Sequence, residues 1–374
     1  MNKAYDVLEN NEKIIYALRS LYTGHGYLLY KMSKFEEYDF YSKNKDFLIS
    51  DSIITFTDTN GKLMALKPDV TLSIIKNRGD LKSGVQKLCY NENVYRLSKG
   101  TGSFRELMQA GLECIGDIDD FCIGEVLLLA AESLRMISED FVLDISSLDL
   151  LGALIDKITD SGSIKQALMK CIGDKNIHGI TEICRANGID ETLAAPLCEL
   201  VTTYGKAADV LPKIEAAAQK AGAEDAVDSL KRAISIFENY EFFDNIRIDM
   251  SVVSDMKYYN GIVFNGFISN IPDCVLSGGQ YDKLMNKLKS KSRAIGFAVY
   301  LDEIENLDKD SNRNIDVLLV YDETSTPSQI RNCAEKLIAE GKKVFASGSI
   351  PDGLKYRQKM QIKNGEVTVI EDNA

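Results

Sequence analysis

Two apolar runs joined by a polar loop, in VYRLSKGTGSFRELMQAGLECIG (residues 94–116), are the part of the sequence that decides the fold assignment. The first run begins upstream of the quoted stretch, as VQKLCYNENVYRL (85–97), and the second is FRELMQAGLECIG (104–116). They predict two strands, because apolar, β-branched and aromatic residues bounded by turn residues are typical of strands. The loop SKGTGS (98–103) is rich in donors and is flanked by Arg96 and Arg105, a combination that suits a phosphate group. A hairpin loop with surface arginines explains the same residues, so both interpretations stay open.

Upstream of this stretch, the sequence predicts a helix, a hairpin and a second helix. Residues 10–22 have helical spacing of their apolar positions. The segment DSIITFTDTNGKLMALKPDVT (51–71) predicts a β-hairpin, because two apolar runs flank the turn TNG. Pro68 ends the second strand, and a helix begins near Asp69. Downstream, residues 119–137 predict a long helix whose first residues are acidic.

The later part of the chain changes character twice. Residues 148–240 contain consecutive helical patterns without a credible strand, so we predict an all-helical insertion. Strand patterns return in 241–305, which together with 1–147 would form the core domain. After a polar linker at 306–314, alternating strand and helix patterns predict a small α/β domain with a partly parallel sheet, covering 315–374.

Composition excludes several classes of function. The sequence has 374 residues, with 45% hydrophobic and 27% charged residues, which is typical of a globular protein with a proper core. It has only two histidines and eight scattered cysteines, a pattern that predicts reduced structural thiols and no metal site. It has no signal peptide pattern and no membrane-length apolar run, so we expect a cytoplasmic protein. A net charge of −12 argues against a nucleic-acid partner.

Four blocks, taken in order, resemble signatures of histidyl-tRNA synthetase. LKPDVT (66–71) resembles its Arg-Pro-Glu-Gly-Thr segment, and residues 94–116 resemble its motif 2. MKYYNGIVF (256–264) resembles its Leu-Asp-Tyr-Tyr-Asn signature. SGGQYDKL (277–284) and AIGFAVYLDEI (294–304) resemble its Gly-Gly-Arg-Tyr-Asp and motif 3 region. The resemblance implies an α+β fold with a class II aminoacyl-tRNA synthetase-like antiparallel sheet core, a helical insertion, and a shortened anticodon-binding-like α/β domain.

The departures from the synthetase pattern fall on the side that binds ATP. Motif 3 of the synthetases ends in Gly-X-Glu-Arg, whereas the matching positions here are Tyr300, Asp302 and Glu303. Ser254 stands where the family has its catalytic arginine, and Lys257 stands for the neighbouring aspartate. Three further positions depart from the pattern: Ser98 for a glutamate that recognises adenine, Gln280 for an arginine, and Lys67 for an arginine.

The positions that bind histidine in this family are better preserved. By the resemblance, Gln109 and Glu113 match the imidazole- and amine-binding pair, Asp69 matches the acid that meets the α-amino group, and Arg96 suits a carboxylate. An alternative is that Gln109 and Glu113 are relics bonded to each other. The predicted ligand-binding residues are Asp69, Thr71, Arg96, Gln109, Glu113, Tyr258 and Tyr259.

A sequence that departs at the ATP-binding positions and keeps the histidine-binding positions resembles the histidyl-tRNA synthetase-like regulatory subunits of ATP phosphoribosyltransferase. KPDVT resembles their Arg-Pro-Asp-Met-Thr, and YYNGIVF resembles their Tyr-Tyr-Thr-Gly-Ile-Val-Phe. The resemblance implies a subunit without catalytic residues, metal or cofactor. It would form a homodimer and assemble with the short-form ATP phosphoribosyltransferase catalytic subunit for the first step of histidine biosynthesis and its inhibition by histidine. Whether histidine binds in the old synthetase pocket or at the subunit interface stays open. The alternatives are a divergent histidyl-tRNA synthetase and a synthetase-like scaffold without a ligand.

Overall fold

The computed structural model describes residues 8–45, 48, 52–78, 83–97, 102–253, 258–304, 315–363 and 366–372. The described chain forms two compact units, 1–305 and 306–374. Four features named from the sequence lie outside the described residues: Ser98 with most of its loop, Ser254, Lys257 and the linker 306–314.

The strands and helices have the following bounds. The strands are β1 Leu28–Leu29, β2 Phe35–Glu37, β3 Thr55–Thr57, β4 Leu63–Leu66, β5 Val85–Leu97, β6 Phe104–Gly116, β7 Phe141–Ser147, β8 Tyr204–Lys206, β9 Ile246–Asp249, β10 Asn260–Ile268, β11 Leu276–Gln280, β12 Arg293–Tyr300, β13 Ile315–Tyr321, β14 Val344–Ser347, β15 Tyr356–Lys363 and β16 Glu366–Asp372. The helices are α1 Asn10–Gly24, α2 Tyr38–Lys43, α3 Val70–Asn77, α4 Asp120–Ile137, α5 Leu148–Ile158, α6 Gly162–Gly173, α7 Ile177–Ala186, α8 Ala195–Thr202, α9 Ala207–Ala221, α10 Glu224–Ile234, α11 Asp282–Lys287, α12 Leu301–Ile304 and α13 Pro327–Ala339.

The core of the first unit is a mainly antiparallel sheet. In the described residues it has nine strands in the order β1-β5-β6-β12-β11-β10-β7-β9-β8, with parallel pairing only between β1 and β5 and between β7 and β9. The predicted strand-loop-strand of residues 87–116 is confirmed as the long antiparallel pair β5 and β6. The predicted hairpin is confirmed as β3 and β4, and β2 adds a third strand to it.

Side-chain alternation gives the buried part of β6 one apolar face and one face on which polar side chains stand beside the buried Ile115. On β6, Ala110, Leu112 and Cys114 are buried in the hydrophobic core, which also takes in the buried stripes of α1 and α4. Gln109 and Glu113 occupy the alternate positions and therefore point to the opposite face, because successive strand side chains alternate. The polar face of β6 is where the candidate site lies.

The block 148–240 is not purely helical, so the prediction of an all-helical segment is wrong in one respect. Within it, Tyr204–Lys206 forms β8, which pairs antiparallel with β9 at one edge of the large sheet. A strand of three residues is too short for local alternation to reveal it, and the hydrogen bonds that define it come from β9. Apolar residues of the block, such as Leu154, Leu197 and Leu230, belong to the same hydrophobic core as the sheet.

The second unit is a small α/β sheet with the order β14-β13-β15-β16. β13 pairs in parallel with β14 and β15, which confirms the predicted partly parallel sheet, and β16 is antiparallel. Its helix α13 begins with a capping box formed by Thr326 and Gln329. Sequence reasoning missed β15, because its alternation of Met360 and Ile362 with lysine, glutamine and arginine was not recognised as a strand. That 148–240 is an insertion and 315–374 an anticodon-binding-like domain stays a prediction.

Candidate functional site

A cavity of about 370 Å³ opens on the polar face of β6. Every residue that sequence analysis assigned to ligand binding lines it: Asp69, Thr71, Arg96, Gln109, Glu113, Tyr258 and Tyr259. These residues lie far apart in the chain, and the fold brings them to one place. The lining also contains polar and aromatic residues that sequence reasoning did not include: Tyr90, Asn265, Cys274, Ser277, Tyr281 and Tyr300.

A glycine on the strand beside β6 makes the space for the buried acid. Gly296 on β12 pairs directly with Glu113 on β6, and Gly279 on β11 is the next residue across. A Cβ atom at position 296 would lie 1.9 Å from Glu113 Oε2 and 2.5 Å from the Leu112 carbonyl oxygen. Only glycine therefore fits there while the Glu113 carboxyl group keeps its position.

Glu113 lies at the bottom of the site with both of its oxygens hydrogen-bonded. Thr71 Oγ1 donates to Oε1 at 2.6 Å, and the Tyr281 hydroxyl group donates to Oε2 at 2.5 Å. Only 1% of the residue is exposed, and this burial raises the pKa of Glu113 to about 8, although the two hydrogen bonds oppose the shift. The carboxyl group is thus fixed in orientation, and its ionisation is sensitive to what binds next to it.

Asp69 and Arg96 form a second charged pair at the start of α3. Asp69 is the N-cap of this helix and accepts a hydrogen bond from the Leu72 N–H at 2.8 Å. Arg96 Nη2 lies 3.5 Å from Asp69 Oδ2, and Arg96 Nε donates to the Pro68 carbonyl oxygen at 2.7 Å. Burial raises the pKa of Asp69, while the Arg96 charge acts against the rise. The other N–H groups of Arg96 have no partner among the residues that the structure describes, so they are available to the cavity that Arg96 lines.

The structure contradicts the alternative in which Gln109 and Glu113 bond to each other. The oxygens of Glu113 are taken by Thr71 and Tyr281, and within the described part of the chain the Gln109 side chain has no hydrogen-bond partner. Gln109 is only 3% exposed and lines the cavity. A buried amide normally has partners, so its free donor and acceptor are suited to a ligand.

Tyrosine rings form one wall of the cavity. The ring centroids of Tyr258 and Tyr259 are 4.5 Å apart, and those of Tyr258 and Tyr281 are 6.0 Å apart. Tyr281 belongs to the block SGGQYDKL that sequence analysis quoted, but its contact with Glu113 joins residues 168 apart in the chain. The signal that pointed to Tyr281 was the family motif, which Ser277 directly precedes in the quoted block, whereas Asn265 had no signal beyond lying on a strand.

Among the described residues that depart from the synthetase pattern, three have structural roles outside the cavity: Lys67, Gln280 and Asp302. Lys67 is fully buried and forms an ion pair with Glu92 at 2.8 Å. Gln280 Oε1 accepts the Ile262 N–H at 2.7 Å, and Asp302 Oδ2 accepts the Met108 N–H at 2.7 Å. Glu303 is not among the described residues that line the cavity. Tyr300 is the exception, since it lines the cavity.

The charges of the lining define what the site can hold. Among the described lining residues, Arg96 is the one cation, and Asp69 and Glu113 are the carboxyl groups. No group of three or more His, Cys, Asp or Glu side chains is placed to hold a metal ion in the described ranges. Within those ranges the helices are too short or too polar to cross a lipid bilayer.

Comparison with known proteins gives the family. Residues 6–304 match the family model described as histidyl-tRNA synthetase. A curated ATP phosphoribosyltransferase regulatory subunit from Caldanaerobacter subterraneus subsp. tengcongensis is 30% identical over 269 residues, which are 71% of this chain and 70% of the relative. A second protein of that name, from Ruminiclostridium cellulolyticum, is 24% identical over 382 residues, with 99% of this chain and 90% of the relative covered.

A solved structure supports the fold. The ATP phosphoribosyltransferase regulatory subunit/histidyl-tRNA synthetase from Bacillus halodurans C superposes with a TM-score of 0.72 at 23% identity, covering 92% of this chain and 93% of that one. The predicted α+β, class II synthetase-like fold is therefore confirmed. On the sequence matches and the shared fold together, this chain belongs to the histidyl-tRNA synthetase-like family of ATP phosphoribosyltransferase regulatory subunits.

Proposed function

We propose that this chain is the regulatory subunit of ATP phosphoribosyltransferase and carries no catalytic activity of its own. It assembles in the cytoplasm, as a homodimer, with the short catalytic subunit, which converts ATP and phosphoribosyl pyrophosphate to phosphoribosyl-ATP. The curated relatives that carry this name support the assignment, and one of them matches 99% of the chain. The cavity described above is then the site at which histidine, the end product of the pathway, binds.

The observation that carries the proposal is the balance of charges in the cavity. Arg96 brings one positive charge and Asp69 one carboxylate to the same space, beside a Glu113 carboxyl group that is protonated at neutral pH, and this balance matches a zwitterion and not a polyanion. Two unit charges about 4 Å apart interact by about 4 kcal/mol at an effective dielectric constant of 20. A triphosphate would gain that attraction from Arg96 alone, would meet Asp69 as a like charge, and would oppose any ionisation of Glu113.

Each part of a histidine molecule has a partner in the site. The ammonium group fits beside Asp69 and the free amide of Gln109. The carboxylate group fits the free N–H groups of Arg96, since guanidinium is a strong donor to carboxylates. The imidazole ring fits against the tyrosine wall, where an imidazole N–H donates to Glu113. Thr71 supports this arrangement indirectly, because it fixes the Glu113 carboxyl group.

Regulation follows if histidine binds one quaternary state of the complex more tightly than another. A ligand shifts an equilibrium only by its difference in affinity for the two states. Histidine and the catalytic partner would then be linked reciprocally, so that each changes the apparent affinity for the other.

Co-purification with the short catalytic chain from the same genome tests the proposal. We expect a stable complex that forms phosphoribosyl-ATP faster than the catalytic chain alone and is inhibited by histidine. The variants Arg96→Met and Glu113→Gln should weaken inhibition without preventing assembly. Absence of a complex, or a complex whose activity does not depend on this chain, would overturn the assignment.

The same protein tests the alternative of a working histidyl-tRNA synthetase. A synthetase exchanges pyrophosphate into ATP in the presence of histidine, and we expect no such exchange above the rate without enzyme. Glu303 and Asp302 occupy the positions at which that activity needs an arginine and a glutamate. Exchange that depends on histidine would favour the synthetase and reject a non-catalytic subunit.

A further inference from the structure

Beyond the predicted ligand-binding residues, the cavity has a further polar end. Tyr300 on β12 pairs directly with Gln109 on β6, so the two side chains stand at the same level of the sheet. Ser277 on β11 and Asn265 on β10 pair with each other and line the same end of the cavity. Tyr300 therefore lies between Gln109, which belongs to the predicted ligand-binding residues, and the polar side chains of Ser277 and Asn265.

The hydroxyl group of Tyr300 is positioned by a neighbour. It is hydrogen-bonded to Ser277 Oγ, and either atom can be the donor. When Ser277 donates to the phenolic oxygen, the proton of Tyr300 is left for a ligand in the cavity. Burial raises the pKa of Tyr300, and the bond to Ser277 and the nearby Arg96 charge act against the rise, so at neutral pH the hydroxyl group remains a donor.

Arg96 and Tyr300 act on the same region. Within the described residues the guanidinium group has N–H groups left over after its bonds to Pro68 and Asp69, and its charge is close enough to Tyr300 to act on the pKa of that hydroxyl group. A carboxylate placed between them would receive charge-assisted hydrogen bonds from one side and a hydroxyl donor from the other. The phenol ring of Tyr300 lines the cavity here, so a longer group on a carboxylate held in this place would meet the ring.

We propose that Tyr300, together with Arg96, forms the subsite for the ligand's α-carboxylate and closes that end of the cavity. The site therefore selects a free amino acid over a molecule in which the same carboxylate is condensed with another group. This inference rests on the proposed function, because it assumes that the cavity binds histidine.

Calorimetric titration of the full-length chain with three ligands tests the inference. The ligands are histidine, histidinamide, which lacks the negative charge, and histidylglycine, in which the carboxylate is extended by a peptide bond. The variants are Tyr300→Phe, which removes only the hydroxyl group, and Tyr300→Gly, which also removes the ring. Tyr356→Phe is the matched control, because its hydroxyl group bonds to Glu371 in the second unit.

The wild type and the control should bind histidine at least about tenfold more tightly than either analogue. Tyr300→Phe should weaken the binding of histidine by about fivefold to tenfold and that of histidinamide by less, because a hydrogen bond to a neutral amide oxygen is weaker than one to a carboxylate. The variant should still reject histidylglycine. Tyr300→Gly should bring histidylglycine to within about threefold of histidine. If Tyr300→Gly does not fold, the inference is tested by whether Tyr300→Phe weakens the binding of histidine more than the binding of histidinamide.

Two failures are distinguishable. Histidine that binds the wild type and both Tyr300 variants with equal affinity and equal preference over the analogues would overturn the carboxylate subsite and leave the proposed function intact. A wild-type chain that binds no histidine would overturn the carboxylate subsite together with the assignment of this cavity to histidine, whereas co-purification with the catalytic chain tests the regulatory assignment separately.

Discussion

The ionisation of Glu113 depends strongly on the burial of its carboxyl group in the site. Its pKa rises from 4.5 to about 8 because its carboxyl group is buried. Between these two values the folded chain holds a proton that the unfolded chain has released. The folded state therefore binds more protons, and the free energy of unfolding falls as the pH rises through this range.

Glu113→Gln should remove this pH dependence, because the amide keeps the shape of the side chain and cannot ionise. We expect the stability of the wild type relative to the variant to fall by at most about 1.4 kcal/mol per pH unit between about pH 5 and about pH 8. Urea unfolding at several pH values measures the difference. Glu335→Gln is the control, since Glu335 is exposed and pairs with Arg331 on α13. Parallel stability curves for wild type and Glu113→Gln would show that the carboxyl group does not titrate in this range.

At the scale of elements, the site depends on close contact between β6 and β12. Gly296→Ala would place a methyl group against Glu113 Oε2 and the Leu112 carbonyl oxygen, and a backbone atom cannot easily move away. We expect a loss of about 1–3 kcal/mol in the free energy of unfolding, together with weaker histidine binding. Thermal unfolding and calorimetry measure the two effects.

Gly152→Ala on α5 is the matched control for that substitution. A Cβ atom there would meet nothing within 4 Å, and alanine favours the helix by about 0.5–1 kcal/mol. The control should therefore be neutral or more stable, with unchanged histidine binding. The Gly296→Ala protein could instead be as stable as Gly152→Ala and bind histidine equally well. That result would mean that β12 does not lie as close to the Glu113 carboxyl group as the structure shows.

The elements with strong local patterns were predictable from the sequence, and those defined by pairing were not. The helix that begins after Asp69 is confirmed as α3, because an N-cap acid and an apolar run are local signals. β5 and β6 were predictable for the same reason. β8 has three residues, and it exists only because a neighbouring strand supplies its hydrogen bonds. No local pattern announces a strand of that length.

The candidate site was predictable only in part. Its charged and amide residues came from family motifs, and the structure places them around one cavity. Tyr300 appeared in the sequence only as a departure from a motif, and its partner Ser277 came from another strand. Contacts between strands that are distant in sequence depend on the sheet register, which a single sequence does not reveal.

On the scale of the whole molecule, net charge separates the proposed subunit from a tRNA-binding enzyme. The chain carries a formal charge of −12, and nucleic-acid binding draws much of its affinity from neutralising phosphates with basic side chains. We expect histidine tRNA to bind more weakly than about 100 μM at physiological salt, as measured by fluorescence anisotropy. A histidyl-tRNA synthetase serves as the positive control. Micromolar binding with a steep dependence on salt would show a basic surface that the overall charge conceals.

The central claim is that this cavity holds an amino-acid zwitterion and no longer holds ATP. Isothermal titration of the purified chain with histidine, and separately with ATP and magnesium, tests it most directly. The charge balance of the cavity predicts saturable binding of a single histidine per chain, weakened in Arg96→Met, and no heat of binding from ATP. Saturable ATP binding that competes with histidine, or the absence of histidine binding in a chain shown to be folded, would contradict it.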